Sequence, residues 1–166
     1  MLVLVGCSAA HAATQTITEG VSLTLASAAK LSSPTTLTLT VSGTTFTNFT
    51  GSLLVNYKAR TTQVGSATLS LKASSDFSPT GGPSVASGNV TYTCASAGLG
   101  TACSGTQTMS TTSQTPVVSI STNACVGTGC PSANPASITL QFALTDNPQY
   151  KTGSYSAPVL FTFSST

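Results

Sequence analysis

The sequence predicts an all-β protein, a sandwich or barrel of about nine short antiparallel strands. Three observations carry this. Apolar and polar residues alternate in one short run after another, which lines up one row of side chains on one face of a strand. Thr, Val, Ile, Phe and Tyr suit a pleated surface, whereas charged residues make up only 5% of the chain, so the Lys and Glu of surface helices are scarce. Turn formers punctuate the runs, and no window carries a helical stripe. The 166 residues suffice for one domain with a real core, and no repeat or linker divides them.

The first twelve residues, MLVLVGCSAAHA, read as a signal peptide. Ala10-His11-Ala12 places small residues where a signal peptidase reads, giving cleavage before Ala13. A basic leading region is missing, so the leader is expected to begin upstream of Met1. A second reading takes Leu4-Val5-Gly6-Cys7 as a lipobox with Cys7 acylated, the one case in which the protein would sit on a membrane. A third makes the run a short core strand. It is too short to span a bilayer, which needs about 20 residues. The first two readings send the chain to the cell surface or beyond, leaving residues 13–166 as one β domain.

The strands follow in order. Thr14–Leu25 alternates regularly, with Ile17, Val21, Leu23 and Leu25 on one parity, and Gly20 as a bend. Thr35–Val41 carries Leu37, Leu39 and Val41 before a Ser42-Gly43 turn, and Phe46 and Phe49 follow. Leu53–Arg60 offers Leu53, Val55 and Tyr57, and Ala67–Lys72 offers Leu69 and Leu71. Phe77–Gly88 is a Pro- and Gly-rich loop. Asn89–Cys94 aligns Val90, Tyr92 and Cys94. Thr106–Thr112 is a weak, Thr-rich strand, and Pro116–Ser121 is a short one opening on an edge-suited Pro. Cys125–Pro135 is a second loop. Ile138, Leu140, Phe142 and Leu144 alternate, Thr145–Pro148 turns the chain, and Tyr155, Ala157, Val159, Phe161 and Phe163 form the closing row.

Without the leader four cysteines remain, an even number that in an exported chain indicates disulfides. Local pairing, Cys94–Cys103 and Cys125–Cys130, closes two Gly-containing loops. Crossed pairing is the alternative. A four-thiolate zinc site is disfavoured because neither pair has the close spacing usual for one.

Little chemistry is on offer. The only histidine, His11, lies in the leader, so the mature chain has no triad of the usual kind and few ligands for a metal. Glu19, Asp76 and Asp146 are far apart, whereas a glycosidase needs two carboxylates about one bond. Asp146, beside Asn147-Pro148, is a turn former. No catalytic residue, metal or cofactor is expected, and the protein is not read as an enzyme. Lys30, Lys58, Arg60, Lys72 and Lys151 are scattered, so the net charge of +2 makes no basic patch for nucleic acid. About a third of the residues are Ser or Thr, far above usual usage. Asn48-Phe49-Thr50 and Asn89-Val90-Thr91 match the N-glycosylation pattern, which a Thr-rich chain produces by chance. Gly153-Ser154-Tyr155 suggests a tyrosine corner, in which the hydroxyl caps nearby backbone, or else an ordinary core tyrosine.

The closing segment, YKTGSYSAPVLFTFSS, resembles the last strand of spore-coat-U-like and archaic chaperone–usher pilins, which carry a Gly-x-Tyr ahead of an alternating apolar strand. The N-terminal Cys and aromatic-Gly segment of the spore-coat-U pattern is missing. The resemblance implies an incomplete immunoglobulin-like sandwich completed by the N-terminal strand of the next subunit. Ile17, Val21, Leu23 and Leu25 would be the donated knobs, and Val159, Phe161 and Phe163 would border the acceptor groove. The expected partners are copies of the chain itself, with an assembly chaperone as a further one, and the expected role is a structural subunit of a fibre, pilus or coat. The alternative is a monomeric adhesion or carbohydrate-binding module using the loops Phe77–Gly88, Gly98–Gly105 and Cys125–Pro135. The lack of Trp for sugar stacking weighs against it.

Overall fold

A computed structural model describes residues 22–24, 28–41, 43, 46–61, 65–121 and 136–166. The described residues form ten strands: β1 (Ala28–Ser32), β2 (Thr40–Val41), β3 (Phe49–Arg60), β4 (Ala67–Ala73), β5 (Val90–Cys94), β6 (Thr101–Ala102), β7 (Gln107–Thr108), β8 (Thr115–Ile120), β9 (Ala136–Leu144) and β10 (Val159–Ser165). They make two antiparallel sheets. One runs β1-β3-β9-β5-β7, with β2 also on β3, and the other runs β10-β4-β8-β6. Taken as strands A to F, the set β1/β2, β3, β4, β5, β9 and β10 reproduces the A-B-E-D and F-C order of an immunoglobulin-like sandwich. β6 to β8 are inserted between D and E. Among the described residues no strand lies beyond β10, where strand G of that plan would stand.

The core is the alternation made solid. β3 buries Leu53, Val55 and Tyr57; β4 buries Leu69 and Leu71; β9 buries Ile138, Leu140, Phe142 and Leu144. The intervening residues face outward. Among the described residues no polar or charged residue other than tyrosine is buried, and no buried side-chain polar atom lacks a partner.

The two core tyrosines tie their hydroxyls to backbone, since an unpaired one would be costly. Tyr57 donates to the carbonyl of Leu99, and Leu99 N–H donates back at 3.2 Å. Tyr92 reaches across to the other sheet, within 2.7 Å of the Pro116 carbonyl and 2.8 Å of Thr115 Oγ1. Burial pushes both phenols above their ordinary range, against the smaller opposing effect of those hydrogen bonds. The unfolded chain therefore releases these protons first. Stability is full below about pH 10 and falls as pH rises toward the raised folded values. A melting-temperature series into alkali should turn down there, and Tyr92→Phe should soften the downturn.

The Cys94–Cys103 disulfide is present. It joins β5 in one sheet to the residue after β6 in the other, where Cys103 N–H also donates to Val117 O at 2.9 Å. The expected Cys125–Cys130 pair lies outside the described residues, as do the leader and Cys7.

Some strands differ from expectation. Thr35–Val41 pairs only at Thr40–Val41, and Thr106–Thr112 only at Gln107–Thr108. β1 and β6 are unanticipated. β1 and β2 share one edge of β3 but not one register. Ser32 faces Asn56 and Thr40 faces Thr50, so seven residues, 33–39, run beside five of β3. The extra length lifts this strap off the ladder just after Ser32, at Ser33-Pro34.

Candidate functional site

The two sheets close at one end and gape at the other. At the end holding Arg60 and Ser165, β1 leans across onto β10, and Phe163 meets the Tyr57 ring edge-on at 5.8 Å. Toward Phe49 and Val159 the sheets part around a groove of about 840 Å³. Leu37 and Leu39 of the strap form one wall, Val159 and Phe161 of β10 the other, and Leu53 and Phe142 belong to its floor. Phe46 also lines it, 58% exposed.

Gly51 explains how the strap sits so deep. A Cβ there would lie 2.8 Å from Leu39 Cδ2 and 2.9 Å from the Thr38 carbonyl. Glycine's missing side chain is the space the strap uses.

Of the residues expected to border an acceptor groove, Val159 and Phe161 do line it, while Phe163 belongs to the closed end with Tyr57. β10 starts at Val159 rather than Tyr155. Pro158 has no N–H to give a ladder, and upstream of it only Ser156 pairs, as an isolated bridge to Ser78. Ile17, Val21 and Leu25 lie outside the described residues. Leu23 is described and is 79% exposed, so it is not packed into its own sandwich.

Two loops frame the open end. Tyr155 donates to the Lys151 carbonyl at 2.6 Å, the tyrosine-corner contact. Its ring lies on Gly82, where a Cβ would fall 2.3 Å from Cε1. Lys151 N–H donates to Gly81 O at 3.1 Å, and Asn89 Nδ2 to Tyr150 Oη at 3.0 Å, which engages one of the two glycosylation-type asparagines. Asp146 accepts from Asn147 N–H at 2.8 Å, while the turn itself is closed on Asn147, whose Oδ1 accepts from Gln149 N–H at 2.9 Å and whose carbonyl accepts from Tyr150 N–H at 3.0 Å.

Asp76 is the organiser of loop 76–88. Its carboxylate accepts from Phe77 N–H at 2.8 Å, Ser84 Oγ at 2.6 Å and Val85 N–H at 2.6 Å. Desolvation alone would raise its pKa, but the side-chain bond from Ser84 and the backbone bonds from Val85, Phe77 and Ala86 together lower it below the ordinary carboxylate value. A lowered folded pKa gives stability that is present above the ordinary range and is lost as pH falls through the folded value. Asp76→Asn should therefore flatten the acid limb of a stability–pH curve and speed amide exchange in residues 77–86.

The loops offered for sugar binding do not gather. Loop 77–88 enters β5 at the open end, while Gly98 N–H bonds Ser137 O at the other end of β9. Loop 125–135 lies outside the described residues, as does Glu19. Among the described residues no three His, Cys, Asp or Glu side chains come together.

The β10 edge completes the geometry. It is seven residues long, pairs only with β4 among the described strands, and borders the groove. At the opposite side of the sandwich the edge strands β6 and β7 have two residues each, a common way of blunting an edge, beside the disulfide. No protein-family model matches the chain, and no characterised protein matches it in sequence.

Proposed function

We propose that the protein is a secreted, non-enzymatic structural subunit that assembles by β-strand addition. The segment Thr14–Leu25 of one copy lies along the free edge of β10 in another, with Ile17, Val21, Leu23 and Leu25 as knobs. The carrying observation is the coincidence of a seven-residue strand that pairs only with β4 among the described strands with an open apolar groove at the position of strand G. Main-chain hydrogen bonds to β10 supply affinity, and alternate side chains fill the groove. The exposure of Leu23 supports donation to a neighbour over pairing at home. A low-charge Ser/Thr surface suits packing against copies, since net charge is what usually holds monomers apart. Export to the cell surface follows from the leader, and a chaperone that covers the groove before assembly fits the same chemistry.

The mature chain from Ala13 is expected to elute as oligomers and to show filaments by negative-stain microscopy. Deleting residues 13–25 should leave a folded monomer. A parent chain that stays monomeric at all concentrations ends this reading.

A further inference from the structure

We infer that the outer face of the β1–β3 ladder is a binding site for an acidic polysaccharide. Along the sequence the five Lys and Arg residues are scattered, but the β1–β3 register brings three of them together. Lys30 stands directly opposite Lys58, and Arg60 follows Lys58 by two residues on the same face, about 7 Å further along. All three residues are exposed. The two described side-chain carboxylates lie elsewhere. Asp146 lines the groove at the open end, and Asp76 holds loop 76–88 there. The ladder belongs to the other sheet from β10, so this site stands apart from the strand addition.

Two like charges directly opposite on neighbouring strands cost stability. Paired residues of this kind have Cα atoms about 4.5–5.5 Å apart. An anionic group seated between the two ammonium groups replaces their repulsion with attraction to a shared partner. The surroundings suit one. Lys30, Ser32, Asn56, Tyr57 and Lys58 line an open hollow of about 330 Å³, at the small end of the range for ligand sites.

The class of anion follows from the number of cations and from their neighbours. Three are fewer than the roughly four to eight of a membrane-surface cluster, and fewer than the roughly six to ten phosphate contacts of a strong DNA binder. The next outward rung is neutral: Ser32, Asn56 and Ser137 are register partners across β1, β3 and β9. A few cations beside a row of hydroxyl and amide groups match a polymer whose acid groups are spaced by sugar hydroxyls. Tyr57 turns its ring inward against Phe163, so the hollow works through charge and hydrogen bonds and not through stacking.

The test measures binding of the mature full chain to immobilised dextran sulfate and polygalacturonate, with unsulfated dextran as the neutral control. The parent should bind at least one of the acidic polymers and not dextran. Lys30→Gln with Lys58→Gln should weaken that binding about tenfold, and Arg60→Gln alone about fivefold. Lys72→Gln with Lys151→Gln removes the same charge elsewhere and should weaken it by less than about threefold. The acidic polymer should raise the melting temperature of the parent and of the Lys72/Lys151 variant, and not that of the Lys30/Lys58 variant. A parent that binds neither acidic polymer, or binds dextran equally well, overturns the site. So do equal losses in the two double variants, or parent-like affinity in both the Lys30/Lys58 variant and Arg60→Gln. Tighter binding to duplex DNA or to phosphatidylglycerol vesicles at the same salt overturns the polysaccharide as the partner.

Discussion

Leu140→Ala is expected to destabilise the domain by roughly 3–5 kcal/mol, the range for emptying a fully packed leucine site. Leu140 is 0% exposed and sits mid-way along β9, opposite Leu53 of β3 on one side and Cys94 of β5 on the other. Neighbours held by two ladders and a disulfide have little freedom to collapse into the hole. For a chain of this size each kcal/mol moves the melting temperature by about 2–4 °C, so a drop on the order of 10 °C is expected. Gln141→Ala is the control. That side chain faces outward and bonds only Ser52 Oγ, at 3.2 Å, so its loss should cost about 0.5 kcal/mol or less. Equal shifts for the two variants would show that β9 does not bury the parity assigned to it.

The second large effect belongs to Gly100→Ala. Gly100 has φ 84°, and a Cβ there would lie 2.6 Å from the Ser119 carbonyl and 2.8 Å from Ile120 Cγ1. The left-handed backbone costs an alanine about 1–2 kcal/mol, and forcing a methyl against fixed backbone adds roughly 1–3 more. Gly105 separates the two costs. It has φ 66° with nothing within 4 Å of its would-be Cβ, so Gly105→Ala pays for the backbone alone. The difference in denaturation midpoint between the two alanine variants measures the crowding at β8. The loss at position 100 should also loosen Leu99, whose backbone holds the Tyr57 hydroxyl.

Alternation reveals which way a residue faces, and not which strand it pairs with. For that reason β3, β4, β5 and β9 are legible in the sequence with their buried residues, β8 as a strand alone, and β10 as a row whose Phe161 and Phe163 are half-buried and whose Val159 is exposed. β1, Ala-Ala-Lys-Leu-Ser, has one large apolar residue and so no pattern to read; β6 is Thr-Ala. The strap shows the opposite case. Leu37 and Leu39 alternate like a strand and do face inward, yet seven residues beside five cannot keep the ladder. The candidate site was half legible. Val159 and Phe161 stand out by parity, but Phe163 shares it, and only the lean of β1 onto β10 separates the open end from the closed one. Phe46 reads as an ordinary apolar residue after a turn, because its φ of 47° leaves no trace in composition.

The strap also limits how this edge can vary. Its surplus over β3 is two residues, an even number, so Leu31 before it and Leu37 and Leu39 within it keep the same facing. Adding or removing one residue there would turn either β1 or the strap's leucines inside out. Length changes in this stretch are therefore tolerated in pairs, and a count of odd or even separates the insertions that preserve the wall of the groove from those that dismantle it.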